Sequence, residues 1–278
     1  MTELGTTVKL NSGHEMPRLG LGTWPMDNDE AERAVTTAID AGYRLFDTAE
    51  NYRNEKGVGR GMRASGLSRE QLFVTTKFNR EWHGEDLVRQ AFEQSAERLG
   101  VDYIDLLLIH WPNPKHDRYV EAWRGLLRLQ EAGLVRSVGV SNFKPAHLER
   151  LRAETGVMPA VNQVQLNPFM TRPETREYDE AHGILTQSWT PLSKGHDRLL
   201  EEPTVRGLAE RYGKTPAQVV LRWHLELGLG TIPKSGNPER MRENLGVFDF
   251  ELAPAEVEAI TALDGQVGAP ADSDEIGH

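Results

Sequence analysis

Short apolar runs recur along the chain and are separated by stretches of helical periodicity. Eight such runs are present, and most show no polar alternation, which is typical of strands buried on both faces of a parallel sheet. The runs cover residues 19–21, 43–46, 72–76, 104–109, 137–140, 161–165, 184–189 and 230–232.

Amphipathic stretches lie between these runs. Residues 29–41 place Ala31, Ala34, Val35 and Ala38 on one face, and they end at Gly42, a residue type that commonly caps helix C-termini. Similar spacing predicts helices over 85–99, which ends at Gly100, over 119–132, which ends at Gly133, and over 217–227, which the cap pair Thr215-Pro216 precedes.

The alternation of strands and helices predicts a parallel sheet with right-handed crossovers. Eight units that close on themselves form an α/β fold of the (β/α)₈ TIM-barrel type, and an open doubly wound sheet is the alternative. The 278 residues fit a single barrel, which typically needs about 250 residues, so we expect one domain over 1–278. The glycines in 20–22 and 57–61 do not form G-x-G-x-x-G, so nothing favours a Rossmann fold.

Two segments lie outside the eight units. Residues 8–16 read as a β-hairpin with a turn at 11–13, and we expect this hairpin to close the bottom of the barrel. Residues 265–278 form an irregular polar tail, which we expect near the active-site rim.

Composition narrows the range of functions. The absence of cysteine excludes thiol catalysis, disulfides and thiolate metal sites, and it suits a reducing cytoplasm. The formal net charge of −10 disfavours nucleic acid and anionic membranes as partners. No apolar run is long enough to cross a membrane, and the first residues show no basic-then-apolar signal pattern. We therefore expect a cytoplasmic protein that binds a small molecule.

Polar side chains stand at the ends of the apolar runs. The carboxyl ends of barrel strands carry the active site, so the candidates are Asp47 and Tyr52, Lys77, His110, Ser141 and Asn142, Gln163, Trp189, and Lys234 with Ser235. Taken singly, each has a structural explanation, such as a helix cap, a surface lysine or a packed histidine. Purely structural roles would not place all of these residues at the same end of the barrel, so their joint placement there favours an active site.

Four of these residues suit proton transfer to a carbonyl oxygen. Tyrosine has an ordinary pKa of about 10, and we expect Lys77 to lower the pKa of Tyr52, with Asp47 holding the ammonium. His110 would orient the carbonyl by a hydrogen bond. The histidines show no paired ligand spacing such as H-E-x-x-H, so we expect no metal.

Seven ordered motifs resemble those of the aldo-keto reductases, from about Leu10 to Leu263. They are 42–52, with 57–59 after it, 75–77, 105–112, 138–143, 161–164, 232–235, and Arg240 with Glu243 and Asn244. The bacterial reductases of diketo sugar acids such as 2,5-diketogluconate look most similar. The resemblance implies NADPH-dependent, reversible reduction of an aldehyde or ketone, in a monomer, with Tyr52 as the acid.

The resemblance also implies a seat for NADPH/NADP⁺. The carboxamide would be held by Ser141, Asn142 and Gln163, the nicotinamide ring would stack on Trp189, and the pyrophosphate would run along Pro191, Leu192 and Ser193. The 2′-phosphate would bind Lys234, Ser235, Asn237 and Arg240, and the adenine would reach Glu243 and Asn244. In an acidic protein, Lys234 and Arg240 form a basic spot suited to phosphate, which favours NADPH over NADH.

The sequence departs from the family pattern near the substrate. The family often has tryptophan shortly after the lysine, whereas here Lys77 is followed by Phe78 and, later, Trp82. We expect an apolar substrate pocket of Trp24, Phe78, Trp82 and Trp111. The segment 194–197 is short, and we expect it to leave the cofactor less enclosed.

Two alternative functions stay open. One is a non-catalytic NADPH-binding sensor or partner module, and the other is a metal-dependent barrel hydrolase.

Overall fold

A computed structural model describes residues 6–193 and 198–278. Eight parallel strands follow one another around a barrel in sequence order. After an N-terminal hairpin, β1 Thr7–Lys9 and β2 Glu15–Pro17, they are β3 Leu21–Gly22, β4 Leu45–Asp47, β5 Phe73–Phe78, β6 Ile104–Ile109, β7 Val135–Ser141, β8 Val161–Gln165, β9 Leu185–Trp189 and β10 Gly230–Thr231. All eight predicted strands are therefore present.

The barrel closes between its first and last strands. The backbone N–H of Gly20 donates to Thr231 at 2.9 Å, and that of Gly22 donates to Pro233 at 3.1 Å. A Cβ on Gly22 would lie 2.8 Å from the backbone oxygen of Ile232, so this junction requires glycine. The closure confirms the predicted barrel and rules out the open doubly wound alternative.

Helices surround the strands. They are α1 Asn28–Ala41, α2 Glu55–Ala64, α3 Leu87–Leu99, α4 Tyr119–Glu131, α5 Pro145–Thr155, α6 Pro173–Ala181, α7 Pro203–Tyr212, α8 Pro216–Glu226, α9 Pro238–Leu245 and α10 Pro254–Thr261. The four that were predicted, α1, α3, α4 and α8, have bounds close to the expected ones. The start of α1 is set by a capping box between Asp27 and Glu30, and Gly42 ends the helix with φ of 116°. Within the described ranges, no helix is both long and apolar enough to cross a membrane.

The hairpin packs into the end of the barrel away from the catalytic candidates. Leu10 and Met16 join the interior cluster with Leu45 and Leu106. Ser12 exchanges a hydrogen bond of 2.7 Å with Ser137 inside the barrel. The predicted hairpin is confirmed, and it covers the bottom of the barrel.

The alternation of side chains along the strands separates the interior from the outer layer. On β5, Phe73 belongs to the interior cluster, whereas Val74 and Phe78 pack in the layer between strands and helices. Because side chains on a strand alternate, Lys77 points inward and its neighbour Phe78 points outward. The proposed place of Phe78 in the substrate pocket is therefore corrected to the outer core.

Candidate active site

The four catalytic candidates converge at one end of the barrel. Asp47 ends β4, Lys77 lies near the end of β5, His110 follows β6, and Tyr52 ends a short 3₁₀ helix, Glu50–Tyr52. The Lys77 ammonium donates to Asp47 Oδ1 at 2.6 Å, to the Thr48 carbonyl at 2.9 Å and to the Tyr52 hydroxyl at 3.4 Å. The rings of Tyr52 and His110 lie 6.0 Å apart. The structure thus brings all four predicted residues together.

Burial dominates the electrostatics of this group. Burial raises the pKa of Tyr52 above its ordinary value, and the Lys77 charge opposes that rise. Burial also raises the pKa of Asp47, while Lys77 and Gln163 oppose it. Burial alone would lower the pKa of Lys77, but Asp47 and Tyr52 raise it above the ordinary value. Tyr52 therefore keeps its proton at neutral pH, so the expected net lowering of its pKa is not found.

His110 is an uncharged ring. Burial and then the Lys77 charge lower its pKa well below the ordinary value. Its Nδ1 lies 3.2 Å from the side-chain amide of Asn79, and an amide carries both a donor and an acceptor for either tautomer. The tautomer with a proton on Nε2 is the one that can donate to a substrate oxygen. Sequence reasoning missed Asn79 because contact between it and His110 depends on the pairing of β5 with β6.

A cavity of about 800 Å³ is lined by three of the four residues, Asp47, Tyr52 and His110. Every residue expected to hold the carboxamide, nicotinamide and pyrophosphate lines it, together with the first of the phosphate residues. These are Ser141, Asn142, Gln163, Trp189, Pro191, Leu192, Ser193 and Lys234. The cavity is therefore lined continuously from the catalytic residues to the loop after β10.

Hydrogen bonds hold the side chains of this wall in place. The Asn142 amide donates to the His110 carbonyl at 3.1 Å, and its oxygen accepts from the Trp189 indole N–H at 3.0 Å. The Ser141 hydroxyl donates to the Gln163 carbonyl at 2.8 Å. The Trp189 ring is thus tied to the residue after β7, with which it forms one wall of the cavity.

The remaining phosphate and adenine candidates continue from Lys234 into α9. Ser235 and Asn244 are buried, whereas Lys234, Asn237 and Arg240 are exposed. The side-chain oxygen of Asn237 caps α9 by accepting from the N–H groups of Glu239 and Arg240. The Glu243 carbonyl is engaged by the Gln218 amide at 2.8 Å. These residues lie along one loop and helix, outside the cavity wall itself except for Lys234.

The two cationic residues of this group, Lys234 and Arg240, are available to bind an anion. Within residues 6–193 and 198–278, neither Lys234 nor Arg240 forms an ion pair with a carboxylate, although many arginines elsewhere on the surface do. Trp189 presents an aromatic ring and Gln163 an amide to the same cavity. An aromatic wall, amide partners and unpaired cations in this order fit a nicotinamide dinucleotide that carries a phosphate at its far end.

The substrate end of the cavity contains only two of the four aromatic residues that were expected there. Trp24 and Trp111 line it, and Trp24 is 59% exposed. Trp82 does not, because its indole N–H donates to Glu50 at 2.8 Å and its ring packs on the outer core. Trp82 is therefore removed from the predicted pocket, as Phe78 is.

The C-terminal tail supplies a pocket residue that the sequence did not reveal. Lys144 pairs with Asp272 and Asp274, at 2.6 Å and 2.5 Å. His278 lines the cavity, with its ring 4.9 Å from that of His110. The tail lies at the active-site rim, as expected, but no local pattern indicates which of its residues enters the pocket.

Two further expectations concern enclosure and metal. The expected effect of the short segment after β9 falls on 194–197, which lie outside the described residues. In the part of the chain that the structure describes, no group of three or more histidine, aspartate or glutamate residues could hold a metal ion.

Comparisons with known proteins agree with this geometry. The model of the aldo/keto reductase family matches residues 18–265. The chain is 49% identical over 258 residues to a methylglyoxal reductase, DkgA, of Yersinia pestis, covering 92% of each chain. It is 45% identical over 272 residues to the methylglyoxal reductase DkgA of Escherichia coli K12, covering 98% of each.

Solved structures are also similar to this chain over nearly its whole length. A mutant of Gox0644 in complex with NADPH superposes with a TM-score of 0.92 at 44% identity, covering 98% of each chain. An aldo-keto reductase of Bombyx mori in complex with NADP superposes with a TM-score of 0.89 at 36% identity, covering 96% of this chain and 95% of that one.

Proposed function

The chain belongs to the aldo/keto reductase family, and from that premise we propose that Asp47, Tyr52, Lys77 and His110 carry out its reaction. It is an NADP-dependent oxidoreductase that reduces the carbonyl group of an aldehyde or ketone to an alcohol. The observation that supports the residue assignment is the contact of the Lys77 ammonium with both the Tyr52 hydroxyl and the Asp47 carboxylate at the cavity.

When bound, the reduced nicotinamide supplies the hydride that reaches the carbonyl carbon. The C=O π electrons move to the oxygen, and Tyr52 donates its proton there. The tyrosinate that remains lies beside the Lys77 ammonium at 3.4 Å, which stabilises its charge. Asp47 holds the ammonium, and the neutral His110 directs the carbonyl oxygen toward Tyr52 through an N–H donor. The reverse reaction uses the same groups, with Tyr52 as the base.

The cavity wall supports the cofactor seat that the family resemblance implies. Ser141, Asn142 and Gln163 would hold the carboxamide, and Trp189 would stack on the ring. The wall of Pro191, Leu192 and Ser193 would border the pyrophosphate. The 2′-phosphate would meet Lys234, Ser235, Asn237 and Arg240, and the adenine would lie against Glu243 and Asn244.

We infer that the substrate is a small uncharged carbonyl compound, of the methylglyoxal class, rather than a diketo sugar acid. Lys234 is the only lysine or arginine among the described residues of the cavity wall, and it lies at the phosphate end. Near Tyr52 the only ammonium is that of Lys77, which is buried and already paired with Asp47. A carboxylate bound there would therefore lose water without gaining a free cation as its partner. Trp24 and Trp111 suit a small apolar body. Close relatives named methylglyoxal reductases support this choice.

The substrate class can be tested by the oxidation of NADPH with a panel of carbonyl compounds. We expect kcat/KM for methylglyoxal to exceed that for 2,5-diketogluconate by at least about tenfold, the effect of one missing charged hydrogen bond. An aromatic aldehyde and an α-keto ester extend the panel. A preference for the sugar acid would overturn the substrate assignment, and no turnover with any member would overturn the proposed catalysis.

The phosphate assignment predicts a selective loss of NADPH affinity. A charged hydrogen bond contributes about 1.5 to 3 kcal/mol, so we expect Lys234→Ala and Arg240→Ala each to weaken NADPH binding by about 10- to 150-fold. NADH binding should change little, because NADH lacks the phosphate. Quenching of tryptophan fluorescence measures both affinities. Arg242→Ala, two positions along α9 and facing another direction, is the control. If neither variant loses its preference for NADPH, the phosphate site lies elsewhere.

We further propose a single barrel domain over 1–278 that acts as a cytoplasmic monomer. Large exposed apolar side chains in the described ranges are few and scattered, at Trp24, Val157, Leu200 and Ile276, so they form no extended patch for self-association. A chain without cysteine requires no oxidising compartment for disulfides.

A further inference from the structure

Gln187 on β9 lies inside the barrel beneath the cofactor seat. It is fully buried, as are Gln163 and Asp47 nearby. Its Oε1 accepts a hydrogen bond of 2.8 Å from Gln163 Nε2. The same Nε2 donates at 2.7 Å to Asp47 Oδ2, whose other oxygen binds Lys77 at 2.6 Å. A continuous chain of hydrogen bonds therefore runs from Gln187 to the catalytic lysine.

The chemistry of Asp47 determines how this chain is oriented. An ionised carboxylate only accepts hydrogen bonds, so Gln163 must turn its NH₂ group toward Asp47. One hydrogen of that group then goes to Asp47 and the other to Gln187. Gln163 Oε1 must face away from both, and no other group in the described part of the chain bonds it, although Gln163 lines the cavity. Gln163 thus presents an acceptor to the cofactor seat.

The other half of the Gln187 side-chain amide does not explain why a glutamine stands at this position. Its Nε2 is buried and finds no partner among the described residues. A buried donor without a partner is destabilising, whereas an apolar side chain of similar size would avoid that cost. An unsatisfied buried group in a folded protein calls for a functional explanation, and the contact with Gln163 offers one.

We propose that Gln187 is a positioning residue that holds the Gln163 amide with its oxygen toward the cofactor carboxamide and its NH₂ on Asp47. A carboxamide NH₂ is the donor that such an oxygen recognises. The arrangement connects the cofactor seat with the Asp47–Lys77 pair through one side chain. This inference rests on the proposed role of Gln163 as a carboxamide ligand.

The test compares a variant that lacks the acceptor with one that keeps it. Gln187→Met has a side chain of similar length without the amide, and we expect NADPH binding to weaken by about tenfold, the effect of one lost orienting hydrogen bond. Gln187→Glu presents an oxygen acceptor in either protonation state and should keep the affinity of the unchanged protein. Titration of tryptophan fluorescence with NADPH measures the affinity, and circular dichroism checks folding. Gln187→Leu replaces the methionine variant if the latter does not fold.

Two further variants separate the possible failures. If Gln163→Leu leaves NADPH affinity unchanged, the proposed cofactor seat is wrong. If Gln163→Leu weakens binding but Gln187→Met does not, only the role of Gln187 is overturned. Equal losses in Gln187→Met and Gln187→Glu would show that the acceptor is irrelevant and would also overturn it. Gln130→Leu removes a hydrogen bond to the Arg136 carbonyl on the outside of the barrel and should change neither affinity nor KM for the aldehyde.

Discussion

Tyr52→Phe is expected to reduce carbonyl turnover by about 10²- to 10⁴-fold, the range that a positioned general acid contributes, with NADPH binding retained. The substitution removes only the hydroxyl. The ring keeps its packing against Trp24, whose centroid lies 5.1 Å away, and no residue of the proposed cofactor seat bonds to the hydroxyl. Turnover and NADPH affinity measured on the same preparation separate catalysis from binding.

The protonation of Tyr52 explains why this effect should hold across neutral pH. Because burial raises the pKa of Tyr52, the proton is in place throughout the neutral range, and reduction should decline only on the alkaline side. Tyr178→Phe removes a surface hydroxyl that donates to Glu149 at 2.8 Å, and it should leave turnover unchanged. Turnover of Tyr52→Phe within about tenfold of the unchanged protein, well short of a general acid's usual contribution, would mean that another group supplies the proton.

Lys77→Met is expected to destabilise the protein by about 3 to 5 kcal/mol, because it leaves a buried carboxylate without its partner. The side chains of Lys77 and Asp47 are only 1% and 3% exposed. The same variant should lose nearly all carbonyl turnover, because the tyrosinate would form without a neighbouring positive charge. Chemical denaturation measures the change in the free energy of unfolding.

A second substitution separates the structural effect from the catalytic one. Adding Asp47→Asn to Lys77→Met removes the unpaired charge, so most of the lost stability should return while turnover stays low. Arg89→Met breaks an exposed ion pair with Glu93, whose side chains are 63% and 56% exposed, and such a pair contributes less than about 1 kcal/mol. If Lys77→Met alone is as mild as Arg89→Met, Asp47 does not carry a buried charge.

The convergence of the proposed catalytic residues could be predicted because they share a simple relation to the strands. Asp47, Lys77 and His110 stand at or just beyond the carboxyl ends of three successive strands, and parallel barrel strands bring those ends to one rim. The motif around Tyr52 added the proposed proton donor. These residues are neighbours because consecutive parallel strands pair with one another, β4 with β5 and β5 with β6.

The aromatic pocket could not be predicted in the same way. Phe78 and Trp82 are close to Lys77 in sequence, but side-chain alternation turns Phe78 to the outer core and a hydrogen bond to Glu50 draws Trp82 aside. His278 is the opposite case, because it is distant from His110 in sequence and yet its ring lies beside that of His110 in the pocket. Proximity in sequence was a poor guide here because the pocket wall is assembled from separate loops.

The sequence by itself determined the order and type of the elements and the chemical groups at the strand ends. These follow from periodicity, capping residues and residue type, which are local properties of the chain. The tertiary structure alone decided which faces and atoms meet. The Gln163–Asp47 hydrogen bond joins residues 116 positions apart, and a third residue on another strand, Gln187, accepts a hydrogen bond of 2.8 Å from the same amide. Such contacts exist only after the barrel has closed, because closure is what places the interior side chains of distant strands opposite one another.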